Sequence, residues 1–257
     1  MRSIFLTLVI ALTSVVSDAQ ALSGKLRADG TEFVLRLSDG RILRGADVVG
    51  MQLVVQHLGE AVTIRIEDVS EASKAAGGAV FLYRASVHEP DGSSHDLCLP
   101  DAAGLRAGFP IPDGKGWFSF SCTSGVEAKC VLMGYRPWEQ HPSGASMRDL
   151  HKACIHLMRA DYGGDDQPTT RDGTPIEVED RFGIQTFDHV DGMTFEAAWG
   201  PDGALCVARP RIAGNIALET LAKRYPHLEQ ALGPEACTRE RMAGDARVLL
   251  LNRSHPN

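Results

Sequence analysis

Six cysteines constrain this 257-residue chain more than any other feature, because all of them lie after residue 97 and each disulfide would join two separate segments. No two form a Cys-x-x-Cys pair, so neither a thioredoxin-like redox pair nor a zinc knuckle is indicated. Their even number fits complete pairing in an oxidising compartment. We therefore expect three intramolecular disulfides among Cys98, Cys122, Cys130, Cys154, Cys206 and Cys237.

Sequence alone leaves fifteen connectivities open for these cysteines. Cys122–Cys130 is the first expectation, because the sequence Thr-Ser-Gly at 123–125 can turn the chain between them. Cys206–Cys237 is the second, since it would tie a hairpin predicted at the turn Gly-Pro-Asp-Gly 200–203 to the segment after the helical pattern predicted at 216–232. These two pairs leave Cys98 to bond Cys154.

The N-terminal 21 residues have the pattern of a cleaved secretory signal, with Arg2, an apolar run at 4–16 and small residues at 19–21. The run is short for a spanning helix, which needs about 20 residues. A retained membrane anchor is the alternative. No cysteine follows the expected cut, which argues against a lipoprotein. We expect a periplasmic or secreted protein with no stable membrane span after processing.

Composition favours a folded domain, since 44% of the residues are hydrophobic and 23% are charged. The net charge is −7, and no cluster of Lys and Arg is visible. Sequence-independent nucleic-acid binding needs such a cluster to displace phosphate counterions. We therefore expect no nucleic-acid partner.

The pattern predicts an α+β protein with two parts after the signal. Residues 22–95 alternate as strands do, most regularly at 62–66, and predict a small antiparallel β domain with a hairpin at Ser-Asp-Gly 38–40. Glu-Pro-Asp-Gly-Ser-Ser at 89–94 is a candidate linker. Residues 96–257 would form a disulfide-braced α+β domain.

One main helix is predicted near residues 146–162. Ser146 with Asp149 resembles a capping box, and apolar residues at three- and four-residue spacing predict that Cys154 faces the core. Two glycines after Tyr162 give a stop signal.

Several motifs in the last two thirds of the chain resemble the ADYC domain, an uncharacterised family of bacterial extracytoplasmic proteins named for an Ala-Asp-Tyr-Cys motif. The chain keeps Ala160, Asp161 and Tyr162 but has Gly163 where the motif has cysteine. The resemblance implies a fold and no catalytic residues. It rests on SCTSGVEAKC at 121–130, GYRPW at 134–138, LHKAC at 150–154, RADY at 159–162, TRDGT with Arg171, Asp172 and Gly173, and FEAAW at 195–199.

No HExxH, GxSxG or GxxxxGK[ST] motif occurs, and Gly-Lys-Gly at 114–116 lacks the rest of a dinucleotide fingerprint. We expect no cofactor.

Aromatic residues at 117–120 and 134–138 could form a carbohydrate platform or fill a small core. Core filling is favoured, because aromatic burial dominates such cores.

Four carboxylates in one short stretch are weak candidates for calcium: Asp161, Asp165, Asp166 and Asp172. Their spacing does not match the D-x-[DN]-x-[DN]-G loop, and solvated acidic turns are common. Asp161 could instead anchor the helix end by accepting backbone or Arg171 hydrogen bonds.

Acid–base chemistry has only weak candidates. His151, His189 and Glu196 would need to meet within about 3 Å. A glycosidase-like pair would join Glu196 to Glu177 or Glu179, at a separation of roughly 5–9 Å that spacing alone does not single out.

These observations favour a non-catalytic binding or structural module of the cell envelope, with an unknown envelope or extracellular ligand. The alternative is a polysaccharide or peptidoglycan hydrolase that uses carboxylate and histidine chemistry. An enzyme should bring several of the candidates together in one concave pocket with perturbed ionisation.

We expect the mature protein to begin at Leu22, because small residues at 19–21 suit signal peptidase. The intact mass of protein exported from a bacterial host measures this directly. A membrane-retained product that still carries residues 1–21 would contradict it.

Overall fold

A computed structural model of the chain describes residues 23–57, 60–73 and 75–256. The expected signal sequence, 1–21, and the expected first mature residue, Leu22, lie outside the described residues. Within these ranges the protein consists mostly of antiparallel sheet with a few helices and three disulfides, which confirms the α+β class. No helix in the same ranges is long and apolar enough to cross a membrane.

The chain starts with a three-stranded antiparallel sheet. Its strands are β1 (Gly24–Asp29), β2 (Glu32–Leu37) and β3 (Ile42–Arg44). Gly40 adopts a φ of +91° in the turn between β2 and β3, a conformation that favours glycine. The predicted hairpin is confirmed. A short 3-10 helix, Gly45–Val48, follows.

A second, six-stranded antiparallel sheet has the order β4-β5-β6-β8-β9, with β7 paired to β6. Strands from both sides of residue 95 belong to it, and the division of the chain there stays a prediction. The strands are β4 (Gln52–His57), β5 (Glu60–Ala72), β6 (Val80–His88), β7 (Ser94–Asp96), β8 (Gly108–Pro112) and β9 (Phe118–Cys122).

The rest of the chain forms a third sheet and most of the helices. The sheet has the order β10-β13-β11-β12, so the last strand of the chain lies inside it. Its members are β10 (Ile176–Asp180), β11 (Thr194–Gly200), β12 (Gly203–Val207) and β13 (Leu250–Ser254). The helices are α1 (Val126–Leu132), α2 (Met147–Arg159), α3 (Leu218–Arg224) and α4 (Arg239–Ala243).

Helix α2 begins where the sequence predicts, because the Ser146 hydroxyl accepts a hydrogen bond of 3.2 Å from the Asp149 amide. Cys154 is fully buried, as expected. The helix ends at Arg159, three residues before the predicted stop at Tyr162, because Ala160 takes a left-handed conformation with φ of 48°. At 13 residues α2 is longer than the other α-helices described, which have five to seven.

Helix α1 joins two hydrophobic cores. Ala128 and Val131 pack into the core under the first two sheets, and Cys130 packs into the core between α2 and the third sheet. Aromatic rings contribute to the core under the first two sheets, where Phe33 lies 5.4 Å from Phe118 between ring centroids. Phe118 and Phe120 pack against this core, which favours the core-filling interpretation for them, whereas Trp117 is 80% exposed.

All six cysteines are paired, as Cys98–Cys122, Cys130–Cys154 and Cys206–Cys237. The last pair confirms a prediction. The expected Cys122–Cys130 bond is wrong, and so is Cys98–Cys154. Residues 123–125 do turn the chain, but they lead into α1, and this helix turns Cys130 toward α2 while Cys122 stays on its strand.

Peptide mapping of the unreduced protein should recover the three bonds found here, and labelling after denaturation should find no free thiol. The double substitution C130A/C154A opens a loop with a sequence separation of 24 residues. By chain entropy this should lower the free energy of unfolding by about 3–4 kcal/mol in denaturant titrations. A recovered Cys122–Cys130 peptide would refute this connectivity.

Candidate functional site

The C-terminal end of α2 is closed by one buried arginine, Arg211, whose side chain is 1% exposed. The last carbonyls of a helix lack partners within the helix and attract cations. Arg211 donates to two of them, through Nη2 to the Leu157 oxygen at 2.7 Å and through Nη1 to the Met158 oxygen at 2.9 Å. The guanidinium therefore caps the helix.

Glu196 on β11 balances the charge of Arg211 and is fully buried. Arg211 donates to both of its carboxylate oxygens at 3.0 Å. The hydroxyls of Tyr162 and Ser254 donate to it as well, at 3.1 and 2.6 Å. With four donors bound, this carboxylate has a structural role that differs from the general base considered from sequence.

Tyr162 connects the family motif to this pair. Its hydroxyl accepts a hydrogen bond of 2.8 Å from the Arg211 amide and donates to Glu196. Burial raises the pKa of Tyr162 well above its ordinary value, so the phenol stays a neutral donor. The ring stacks on Trp199 at 5.4 Å between centroids. The tyrosine thus links the loop after α2 to the third sheet.

Asp161 ties down the loop that follows α2. Its buried carboxylate accepts from His156 Nδ1 at 3.0 Å and from the amides of Asp165 and Asp166 at 3.3 and 3.0 Å. Burial raises the pKa of Asp161, but these hydrogen bonds outweigh burial and hold the pKa below its ordinary value. Of the two anchors that the sequence suggested, backbone amides are used and Arg171 is not.

The acidic residues around this loop do not converge. The Asp165 carboxylate accepts from the Tyr225 hydroxyl at 3.0 Å, Asp166 pairs with Arg159 at 2.7 Å, and Asp172 is exposed in the next turn. Across the described ranges, no group of three or more His, Cys, Asp or Glu side chains is placed to hold a metal ion.

The histidine candidates also lie apart from Glu196. His151 is buried on α2, where Nε2 lies 3.1 Å from the Glu127 carbonyl oxygen, and burial lowers its pKa. His189 is exposed, and its Nδ1 lies 3.3 Å from Arg253 Nη1. In the part of the chain that the structure describes, none of the three hydrogen-bonds another.

Glu177 and Glu179 point from the same side of β10 toward arginines. Glu177 Oε2 lies 3.5 Å from Arg253 Nη1, and both oxygens of Glu179 accept from Arg239. Both glutamates act as counterions, and neither contacts Glu196, which is engaged by Arg211.

Beside these ion pairs lies a cleft of about 850 Å³, the size of a small-molecule site. Apolar side chains supply part of its wall, and three arginines supply polar groups together with His189, Thr194, Thr238 and Glu240. The residues that define this cleft, called the Phe187 cleft below, are Phe187, Phe195, Leu218, Arg209, Arg239 and Arg253.

Two of the arginines pack against the ring for which the cleft is named. The guanidinium carbons of Arg239 and Arg253 lie 5.8 and 5.5 Å from the centroid of Phe187, within cation–π range. Arg209 lines another part of the wall, where Nε donates to Thr194 Oγ1 at 2.8 Å and Nη2 donates to Ser254 Oγ at 3.0 Å. The arginines are therefore held in place before any ligand arrives.

His189, one of the candidates from sequence, lies on the rim of the Phe187 cleft. The three arginines of the cleft were not predicted from the sequence. One signal was present: Arg209 and Arg211 flank Pro210 in an otherwise apolar segment. Charged residues inside such a segment need partners or a ligand. His156, the partner of Asp161, was not predicted from the sequence as a site residue.

The fold is that of a disulfide-braced α+β protein. The motif at residues 160–162 has a structural role in it, because Asp161 and Tyr162 fix the loop after α2. The ADYC domain model matches residues 45–213, about two thirds of the sequence. The chain therefore belongs to the ADYC domain family. No curated protein and no solved structure gives a significant match.

The departure from the motif at Gly163 has a steric explanation. A Cβ at this position would lie 2.1 Å from Tyr225 Cε1, closer than atoms approach without displacement. Tyr225 in turn is fixed by its hydrogen bond to Asp165. The ring occupies the space that a motif cysteine would need.

Asp161→Ala should lower the free energy of unfolding by about 1–3 kcal/mol at neutral pH, because two amides and His156 lose their acceptor. The depressed pKa adds a pH dependence: the contribution is full well above the ordinary value of 3.8 and is lost as pH falls through the folded-state pKa. Denaturant titrations at pH 7 and pH 3 measure both effects. Asp172→Ala, in the exposed turn, is the control; equal stability of the two variants at pH 7 would contradict the assignment.

Proposed function

We propose that the protein is a non-catalytic, extracytoplasmic binding module and that the Phe187 cleft is its ligand site. The cleft carries the proposal, since it combines a volume of about 850 Å³ with fixed arginines and apolar walls. Such convergence of a few polar groups in an apolar pocket is typical of small-molecule sites.

A periplasmic or secreted location supports this function. Three disulfides within the described residues fit an oxidising compartment. The N-terminal sequence pattern fits export. The ligand would then come from the envelope or its surroundings.

The hydrolase alternative has less support. Hydrolysis by carboxylate and histidine chemistry needs an acid and a base on either side of one bond. Glu196 is engaged by four donors, His151 by the Glu127 carbonyl, and His189 lies beside Arg253.

Native mass spectrometry of protein exported into a bacterial periplasm tests the proposal. We expect a non-covalent small molecule on the wild type and its loss in Leu218→Trp, where the larger side chain fills the cleft. Leu99→Trp is the matched control, because Leu99 is 75% exposed and does not line the cleft. A molecule that persists in Leu218→Trp would place binding elsewhere.

The same preparation should release no products from peptidoglycan or envelope polysaccharide. Hydrolysis that disappears in Glu196→Gln or His189→Ala, with folding preserved, would overturn the binding role in favour of the enzyme.

A further inference from the structure

The three arginines of the Phe187 cleft are not all paired with a carboxylate of their own. Arg239 is neutralised by Glu179 and Arg253 by Glu177. Glu196 faces both remaining guanidiniums, but it binds Arg211 directly through two hydrogen bonds. Two arginines therefore share one carboxylate.

Among the residues that the structure describes, Arg209 is the arginine of the cleft without a carboxylate of its own. Its donors go to uncharged oxygens of Thr194, Pro210 and Ser254 among the described residues. Ser254 stands between it and Glu196, since the serine hydroxyl accepts from Arg209 and donates to the glutamate. At this part of the wall one positive charge, that of Arg209, therefore remains, and the other carboxylate of the lining, Glu240, is exposed and acts on Arg239.

This surplus charge is partly shielded from water. Burial lowers the pKa of Arg209 below its ordinary value, although the group stays protonated at neutral pH. A poorly solvated guanidinium attracts an anion more strongly than an exposed one. A dianion would exceed the single surplus charge and meet Glu240 on the exposed rim.

Apolar surface adjoins Arg209. Phe195 and Leu218 are half-buried, and Ala208 and the buried Phe187 complete this side of the cleft. Apolar walls next to one unpaired cation suit a molecule that has an apolar part and one negative charge.

We propose that the Phe187 cleft binds a small monocarboxylate with an apolar body, the carboxylate on Arg209 and the body against Phe195 and Leu218. This inference rests on the proposed binding function and names its ligand class. Nε and Nη2 of Arg209 donate to Thr194 and Ser254, whereas Nη1 has one long contact, at 3.4 Å to the Pro210 oxygen. Nη1 can therefore donate a charge-assisted hydrogen bond to a bound carboxylate.

Calorimetric titration of the full mature chain with octanoate tests the ligand class. We expect a dissociation constant of about 1 mM or tighter and weaker binding at higher salt. Octyl glucoside, a neutral molecule with the same apolar body, and inorganic phosphate, an anion without one, should each bind at least about tenfold more weakly. Vesicles of anionic lipid should not bind.

Variants assign the contacts. Arg209→Gln should weaken octanoate about tenfold or more, Arg209→Lys should retain most of the affinity, and Arg247→Gln, at an exposed arginine outside the cleft, should change nothing. If Arg209→Gln fails to fold, Phe195→Ala and the salt dependence of the wild type provide the test.

The outcomes separate the two proposals. Equal affinity for octyl glucoside and octanoate, blocked in both cases by Leu218→Trp, would keep the cleft as a binding site and overturn the anionic ligand. No binding of octanoate at about 10 mM, although a molecule co-purifies with the wild type and is lost in Leu218→Trp, would also overturn the ligand class alone. No binding of any probe and no co-purified molecule would overturn both.

Discussion

The ion pair between Arg211 and Glu196 holds together the region around the family motif. Burying two charges costs several kcal/mol each, and the pair is stable only because every other polar contact is made. Helix carbonyls take the remaining arginine donors, and Tyr162 and Ser254 complete the carboxylate. Four segments that are far apart in sequence thereby meet at one point. Loss of one partner would leave an unpaired buried charge.

The same pair determines the electrostatics of the neighbouring cleft. Glu196 pairs with Arg211, which caps the end of α2, and therefore it cannot also neutralise Arg209. The structural core and the proposed ligand cleft therefore share one carboxylate. A change that strengthens the coupling of Arg209 to Glu196 would stabilise the core and weaken the attraction for an anion.

Sequence patterns correctly predicted the features that depend on neighbouring residues. The Ser146 cap, the burial of Cys154 and the β11/β12 hairpin follow from neighbouring residues. The helix end was placed too late, because its position depends on Asp161 and Arg211 and not on the glycines alone. The Cys122–Cys130 bond was expected from proximity in sequence, yet α1 turns the two cysteines toward different partners. The cleft needs residues from 187 to 253, which no local pattern connects.

Gly163 and Tyr225 are coupled across the boundary of the family match. Position 163 lies within residues 45–213, and Tyr225 lies beyond them. Since the ring fills the volume of any side chain at 163, the two positions cannot evolve independently. A sequence with the motif cysteine at this position must lack the aromatic ring or place it elsewhere. The segment after the family match thus limits the side chains that position 163 can carry, and position 225 should covary with position 163 among sequences that share both regions.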